Sequence, residues 1–298
     1  MGYKGPELTY ILETASTVGH IKHFLITNFE ALLEDHPGAH DAILAMNQIT
    51  EMVLLQVGPT GTRLLQKLEG RMLHSLSLDT QVLYESPRDH QLALQSAWMH
   101  PIAFVHRWST LRELIIYGTD SNVELRAQHL LQRHILPQVQ ILRFRSEAVC
   151  LCPEIWVAAC SNLQELHLPD EPQRYDYETS LECRNANLGI LWPQSLHHVS
   201  GQLEDVFELG MTGRLGELDM TVGEDAPTWS HKLYDVLCGI RVGSLTLRLH
   251  IPPRLGALQL EFEHIVHKAL LPESITMYIK RFHLIHLVCD SFLLSKTC

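Results

Sequence analysis

The sequence predicts an α/β solenoid: a curved parallel sheet on the inner, concave face of an arc, helices on the outer face, and about ten irregular repeats forming one domain over residues 1–298. Three observations predict it. A hexamer of apolar, variable, variable, apolar, variable, apolar residues keeps returning. Stretches of helical period separate the copies, and the variable positions inside the hexamers are often charged.

The clearest copies carry their apolar residues at Leu111, Leu114 and Ile116, at Val139, Leu142 and Phe144, at Leu163, Leu166 and Leu168, and at Leu215, Leu218 and Met220. Looser copies begin at Ile21, Ile49, Leu73 and Val242, and a weak one begins at Leu196 with Val199 in its second apolar place. The residues around Ile275 to Ile279 read as a further strand of unassigned register. First positions are separated by 28, 24, 38, 28, 24, 33, 19 and 27 residues. That scatter surrounds the period of leucine-rich repeats of the longer, helix-containing kind. The hexamers at 111, 139, 163 and 215 share a phase, so their second and third apolar residues are expected in one core.

Helical periodicity is clearest from Gly256 to Leu270, where Leu258, Phe262, Ile265, Val266 and Ala269 share a stripe. Weaker stretches cover roughly 39–46, 89–104, 122–134 and 231–238. Pro137, Pro153 and Pro193 stand in the connections. A doubly wound sheet is the competing α/β architecture, but its strands are buried on both faces and read as continuous apolar runs. These strands interleave Glu, Arg, His, Ser and Asp, so one face is wet.

Composition bounds the function. With 23 basic against 34 acidic side chains the formal charge is −11, and there is no basic run. Phosphate neutralisation drives nucleic-acid affinity, so no nucleic acid is expected as partner. An acidic surface likewise disfavours an anionic membrane, and no uncharged apolar stretch is long enough to span one. The start of the chain has no apolar run behind a basic segment, and the seven Cys are scattered. Both features place the chain in the cytoplasm or nucleus with reduced thiols.

These hexamers, the irregular repeat lengths and the strand entry Asn162, Leu163, Leu166, Leu168 resemble the leucine-rich-repeat domains of fungal F-box-type proteins, over nearly the whole chain. Two residues past the hexamer, where Asn or Cys ladders the loop in the general consensus, stand Gln81, Thr119 and Glu171. The resemblance implies a non-catalytic protein-binding module that recognises substrates for ubiquitin ligation. The adaptor-binding helical module of that family is not found, so an adaptor is expected only if such a module precedes this chain. A ubiquitin-independent scaffold or sensor is the alternative.

No enzyme signature is present: no Gly-rich loop joins a strand to a helix, and no cofactor is expected. No metal is expected either. Cys150 and Cys152 have the wrong spacing for a zinc site, and His264 with His267, or His283 with His286, lack further ligands.

Candidate binding residues therefore project from the wet face and its rim. Counting the first apolar residue of a hexamer as zero, the wet positions are two, four and six. Arg143 and Arg145, flanked by Tyr117 and His167, form a basic spot expected to hold an acidic or phosphorylated segment of a protein partner, more tightly as His167 protonates towards pH 6. Glu217 and Asp219, next to Arg248, form an acidic one. Loops following parallel strands leave on one rim, where Tyr84, Tyr175, Tyr177 and Trp229 are the anchor-type residues. The segment 170–192 reads as a long, mobile rim insertion.

Overall fold

The shared phase of the hexamers becomes the register of parallel strands. The computed structural model describes residues 21–68, 72–79, 105–118, 135–145, 153–169, 177–222, 229–251 and 281–288. Where one domain is expected from the sequence, the structure divides into two units, Met1–Leu163 and Gln164–Cys298.

In the first unit β1 (His23–Ile26), β2 (Glu51–Leu54), β3 (Ser75–Asp79), β4 (Glu113–Gly118) and β5 (Ile141–Phe144) lie side by side in chain order. Every pairing among them is parallel. One register row is Phe24, Met52, Leu76, Leu114 and Leu142, and the next is Ile26, Leu54, Leu78, Ile116 and Phe144. Both rows are buried, except that Ile26 on the first strand is half-buried. The leading residues Ile49, Leu73, Leu111 and Val139 are buried as well, so all three apolar places of these hexamers face the core. The alternate rows run His23, Glu51, Ser75, Glu113, then Leu25, Val53, Ser77, Ile115, Arg143. Apart from the buried Ser77 they are exposed or half-buried, as strand alternation requires.

The helices described in this unit are α1 (Phe29–Asp35), α2 (Pro37–Ala45), α3 (Pro59–Lys67) and α4 (Pro153–Ala159). α2, α3 and α4 each begin on proline, whose fixed φ suits the first turn and whose missing N–H would be unpaired there anyway. The buried carboxylate of Glu30 in α1 accepts the N–H groups of Gly58 (2.9 Å), Thr60 (2.6 Å) and Gly61 (2.8 Å), closing the start of α3. A Cβ on Gly58 would lie 2.6 Å from the Glu30 carboxyl carbon, so glycine is needed there for close approach. Repeats are also tied at the strand entries. The residue before the hexamer reaches the preceding repeat's backbone: Thr110 donates to the Leu73 carbonyl (2.9 Å), Gln138 to Trp108 (3.1 Å), and Asn162 to Pro137 (2.9 Å). The consensus ladder positions Gln81, Thr119 and Glu171 lie outside the described residues.

In the second unit β6 (Glu165–His167), β7 (His198–Gln202), β8 (Gly213–Val222), β9 (Ile240–Ile251) and β10 (Arg281–Val288) again follow chain order, all parallel. Leu166, Val199, Leu218, Leu245 and Phe282 share a register row, which puts the weak hexamer at Leu196 in phase. Gly201 takes its last apolar place because the Leu168 side chain occupies that space. A Cβ on Gly201 would stand 2.6 Å from the Cβ of Leu168. The last strand among the described residues is Arg281–Val288, beyond the 275–279 segment expected, which lies outside them.

The helices described in the second unit are α5 (Tyr177–Asn187), α6 (Leu203–Glu208) and α7 (Trp229–Gly239). Within the 170–192 segment expected as a rim insertion, α5 is a helix with Ser180 and Arg184 buried. Polar groups knit this layer. Arg184 donates to the carbonyls of Phe207 (3.0 Å) and Asp235 (3.1 Å), and its guanidinium lies 4.7 Å from the Phe207 ring centroid. Ser180 donates to Glu208 at 2.7 Å, and the Lys232 ammonium lies 3.5 Å from Ser180 Oγ. Burial pushes the Glu208 carboxyl above its ordinary pKa, against the opposing pull of the Ser180 hydrogen bond and Lys232. Gly210, at φ +57°, closes α6 with the Arg184 carbonyl 2.7 Å from where a Cβ would stand.

Of the helical stretches read from periodicity, 39–46 and 231–238 correspond to α2 and α7, while 89–104, 122–134 and 256–270 lie outside the described residues. No helix among the described residues is long and apolar enough to cross a membrane.

Candidate functional site

The residues of the expected basic spot belong to both units. In the first, β4 carries Tyr117 and β5 carries Arg143, with Arg145 following at once. Tyr117 is 36% exposed and Arg145 is exposed, so both are accessible. Arg143 is not a bare cation: its Nε donates to Glu113 Oε1 at 2.8 Å, and Ser75 donates to the other oxygen of Glu113 at 2.9 Å. Register produces this triplet, since Ser75 and Glu113 are partners and Arg143 pairs with Ile115, two residues along β4 from Glu113. On the same face His23 and Glu51 meet at 2.6 Å. The wet face of this unit is thus a ladder of cross-strand charged contacts flanked by exposed Leu25 and Tyr117.

His167 belongs to the second unit, where it has partners of its own. Its Nδ1 lies 2.7 Å from Ser200 Oγ and its Nε2 lies 3.1 Å from Glu165 Oε2. The His198 ring stands edge-on to it, centroids 5.1 Å apart at 81°. Glu165 and His167 are two apart on β6 and so share a face; Glu165 and His198 are register partners on adjacent strands. One ligand-type atom from each of Glu165, His167 and His198 falls within 4.8 Å of the other two. The order Ser200, His167, Glu165 is also that of an acyl-transfer relay. Ser200, however, stands inside a parallel strand, not at the strand-to-helix elbow that exposes such a nucleophile beside spare N–H donors.

Further along this face Asp219 Oδ2 meets the Arg248 guanidinium at 2.6 Å, while Asp219 Oδ1 is buried with no hydrogen-bond partner. Glu217 is exposed on β8, in register with His198. The acidic spot expected at Glu217 and Asp219 is therefore half neutralised by Arg248.

Of the four residues expected on an aromatic rim, Tyr177 and Trp229 fall on described elements, both helical. Tyr177 lies in α5 and stacks on Phe207 at 6.3 Å and 26°, which makes it a packing residue of the helical layer. Trp229 begins α7 where a loop was expected. Tyr84 and Tyr175 lie outside the described residues, as do Cys150, Cys152, His264 and His267. His283 and His286 both fall on β10, three residues apart. Elsewhere, burial pushes the Cys160 thiol up to about 12, which makes it an inert core residue.

Reading from single residues overlooked Glu113, Glu165, His198 and Ser200. Each occupies a wet position of its hexamer, so listing positions two and four strand by strand would have placed Glu165 beside His198 and His167 beside Ser200. The weakness of the Leu196 hexamer hid the second member of both pairs.

No family model matches the sequence, and no curated protein matches it.

Proposed function

We propose that the chain is a leucine-rich-repeat solenoid acting as a non-catalytic protein-binding module, similar in role to the substrate-recognition domain of an F-box-type ubiquitin-ligase receptor. The observation that carries the reading is a parallel sheet with one wet face. Parallel sheets are ordinarily covered on both faces, yet here the alternate rows of the first unit hold exposed Leu25, Tyr117 and Arg145 beside cross-strand charged contacts. Side chains held by adjacent strands at a spacing of about 4.8 Å form a rigid array, which lowers the ordering cost of binding.

The partner is a protein presenting an acidic or phosphorylated segment to Arg143 and Arg145. Arg143 engages Glu113 through its Nε, and a guanidinium fork suits a carboxylate or phosphate. Such a segment would exchange with Glu113 for Arg143 while resting against Tyr117.

The test is capture of partners by the parent and by a double variant, Arg143→Glu with Arg145→Glu, with and without prior phosphatase treatment. The reading expects a protein held by the parent and lost by the variant at unchanged melting temperature; phosphatase sensitivity identifies a phosphorylated segment. Undiminished capture by the folded variant refutes this surface. Co-purification of a ubiquitin-ligase adaptor with the full-length protein separates a ligase receptor from a ubiquitin-independent scaffold.

A further inference from the structure

We propose that Glu165, His167 and His198 bind one divalent cation of the zinc class on the wet face of the second unit. This departs from the expectation of no metal, and it does not depend on the protein-binding reading above.

The donor set comes first. Two imidazoles and one carboxylate suit zinc and its neighbours; magnesium and calcium ask for oxygen donors, and copper(I) for sulfur. Three protein ligands with a fourth position left to solvent or to an incoming group is a recurrent zinc arrangement. Tetrahedral bonds of about 2.0–2.2 Å place neighbouring donors about 3.3–3.5 Å apart. The His167 Nε2 to Glu165 Oε2 distance of 3.1 Å is already close to that value. All three donors lie within 4.8 Å of one another, so small side-chain rotations complete the set.

The scaffold holds this geometry. Two ligands stand at alternate positions of β6 and the third is the register partner of the first on β7, so the backbone spacing is set by ladder hydrogen bonds. Ser200 holds the ring of His167 from the opposite side at 2.7 Å. When Nδ1–H donates to Ser200 Oγ, the Nε2 lone pair faces the Glu165 carboxylate, an opposition of two acceptors that a cation between them relieves. A hydrogen-bond partner on the other ring nitrogen, fixing the imidazole tautomer, is the usual companion of a histidine ligand. Side-chain exposures of 17% for His167 and 30% for Glu165 leave the site shielded, yet open enough for an ion to enter. The chain's net charge of −11 favours cation capture.

A proton could do the same bridging, and metal titration separates the two. Zn²⁺ added to the metal-free full chain is followed by calorimetry, and Co²⁺ by its visible absorption, for the parent, His198→Gln, Glu165→Gln and Ser200→Ala. The expected result is one ion per chain, a Co²⁺ spectrum of low coordination number, and a melting temperature raised by Zn²⁺ in the parent but not in Glu165→Gln or His198→Gln at the same Zn²⁺ concentration. Glu165→Gln and His198→Gln should each weaken binding by more than about a hundredfold, and Ser200→Ala by about ten- to a hundredfold. Glu165→Gln is isosteric at a partly exposed site, so it carries the test should His198→Gln fail to fold. No saturable binding, or binding that survives Glu165→Gln, overturns the proposal; the cluster is then a proton-bridged hydrogen-bond network, or the ion sits on other histidines.

Discussion

Replacing Glu30 should unfasten two repeats at once. Its carboxylate serves three backbone N–H groups at the start of α3, two on Oε2 (Gly58 at 2.9 Å, Gly61 at 2.8 Å) and one on Oε1 (Thr60 at 2.6 Å). These are among the donors that a helix start cannot satisfy internally, and Glu30 itself is only 8% exposed. Hydrogen bonds to a charged acceptor contribute about 1.5–3 kcal/mol each, though three sharing one carboxylate do not add. Removing the buried anion and orphaning its donors should therefore cost about 3–5 kcal/mol in Glu30→Ala. Glu30→Gln keeps one oxygen for Gly58 and Gly61 but turns an amide NH₂ towards the Thr60 N–H, which should cost about 1–3 kcal/mol. Urea unfolding followed by circular dichroism measures both, and hydrogen exchange at Thr60 and Gly61 localises the loss. A cost for Glu30→Ala within about 0.5 kcal/mol, the range of an ordinary surface substitution, would refute the capping argument, as would intact exchange protection at those amides.

Leu166→Ala should cost about 2–5 kcal/mol, because Leu166 is buried in the row with Val199 and Leu218; a variant melting like the parent would overturn that register. Cys160, fully buried with its thiol pushed up to about 12, should resist iodoacetamide at pH 8 in the folded protein, whereas exposed Cys238 should react; mass spectrometry of the alkylated peptides decides. Burial raises the Glu208 pKa in the folded state, so its charge costs stability at neutral pH and that cost is relieved as pH falls through the raised value. The stability of Glu208→Gln relative to the parent should accordingly decline between pH 7 and the ordinary glutamate range, and a difference independent of pH would contradict the burial argument.

Period and phase in the sequence were enough to determine the strands. From Ile21 to Val242 each hexamer that falls on described residues becomes, or runs into, a parallel strand, because an alternating segment has only one way to bury its apolar row. Leu114 beside Leu142, and Leu218 beside Leu245, follow from phase alone. The wet positions were equally legible, since they are the complement of the buried ones.

Only the tertiary structure decided what those wet residues do. Sequence alone names Arg143 and His167 but not their partners: register brings Glu113 within 2.8 Å of Arg143, and Glu165, His198 and Ser200 around His167. Cross-strand pairing joins residues about 30 positions apart, and no local pattern records which of several charges will meet. α5 was illegible for a related reason: it buries Ser180 and Arg184 rather than an apolar stripe. Its place is set by the Phe207 ring, the carbonyls of Phe207 and Asp235, and the Glu208 carboxylate. Hydrophobic period reports what a segment withdraws from water. A helix held by charge and hydrogen bonds becomes visible only beside the groups that satisfy it.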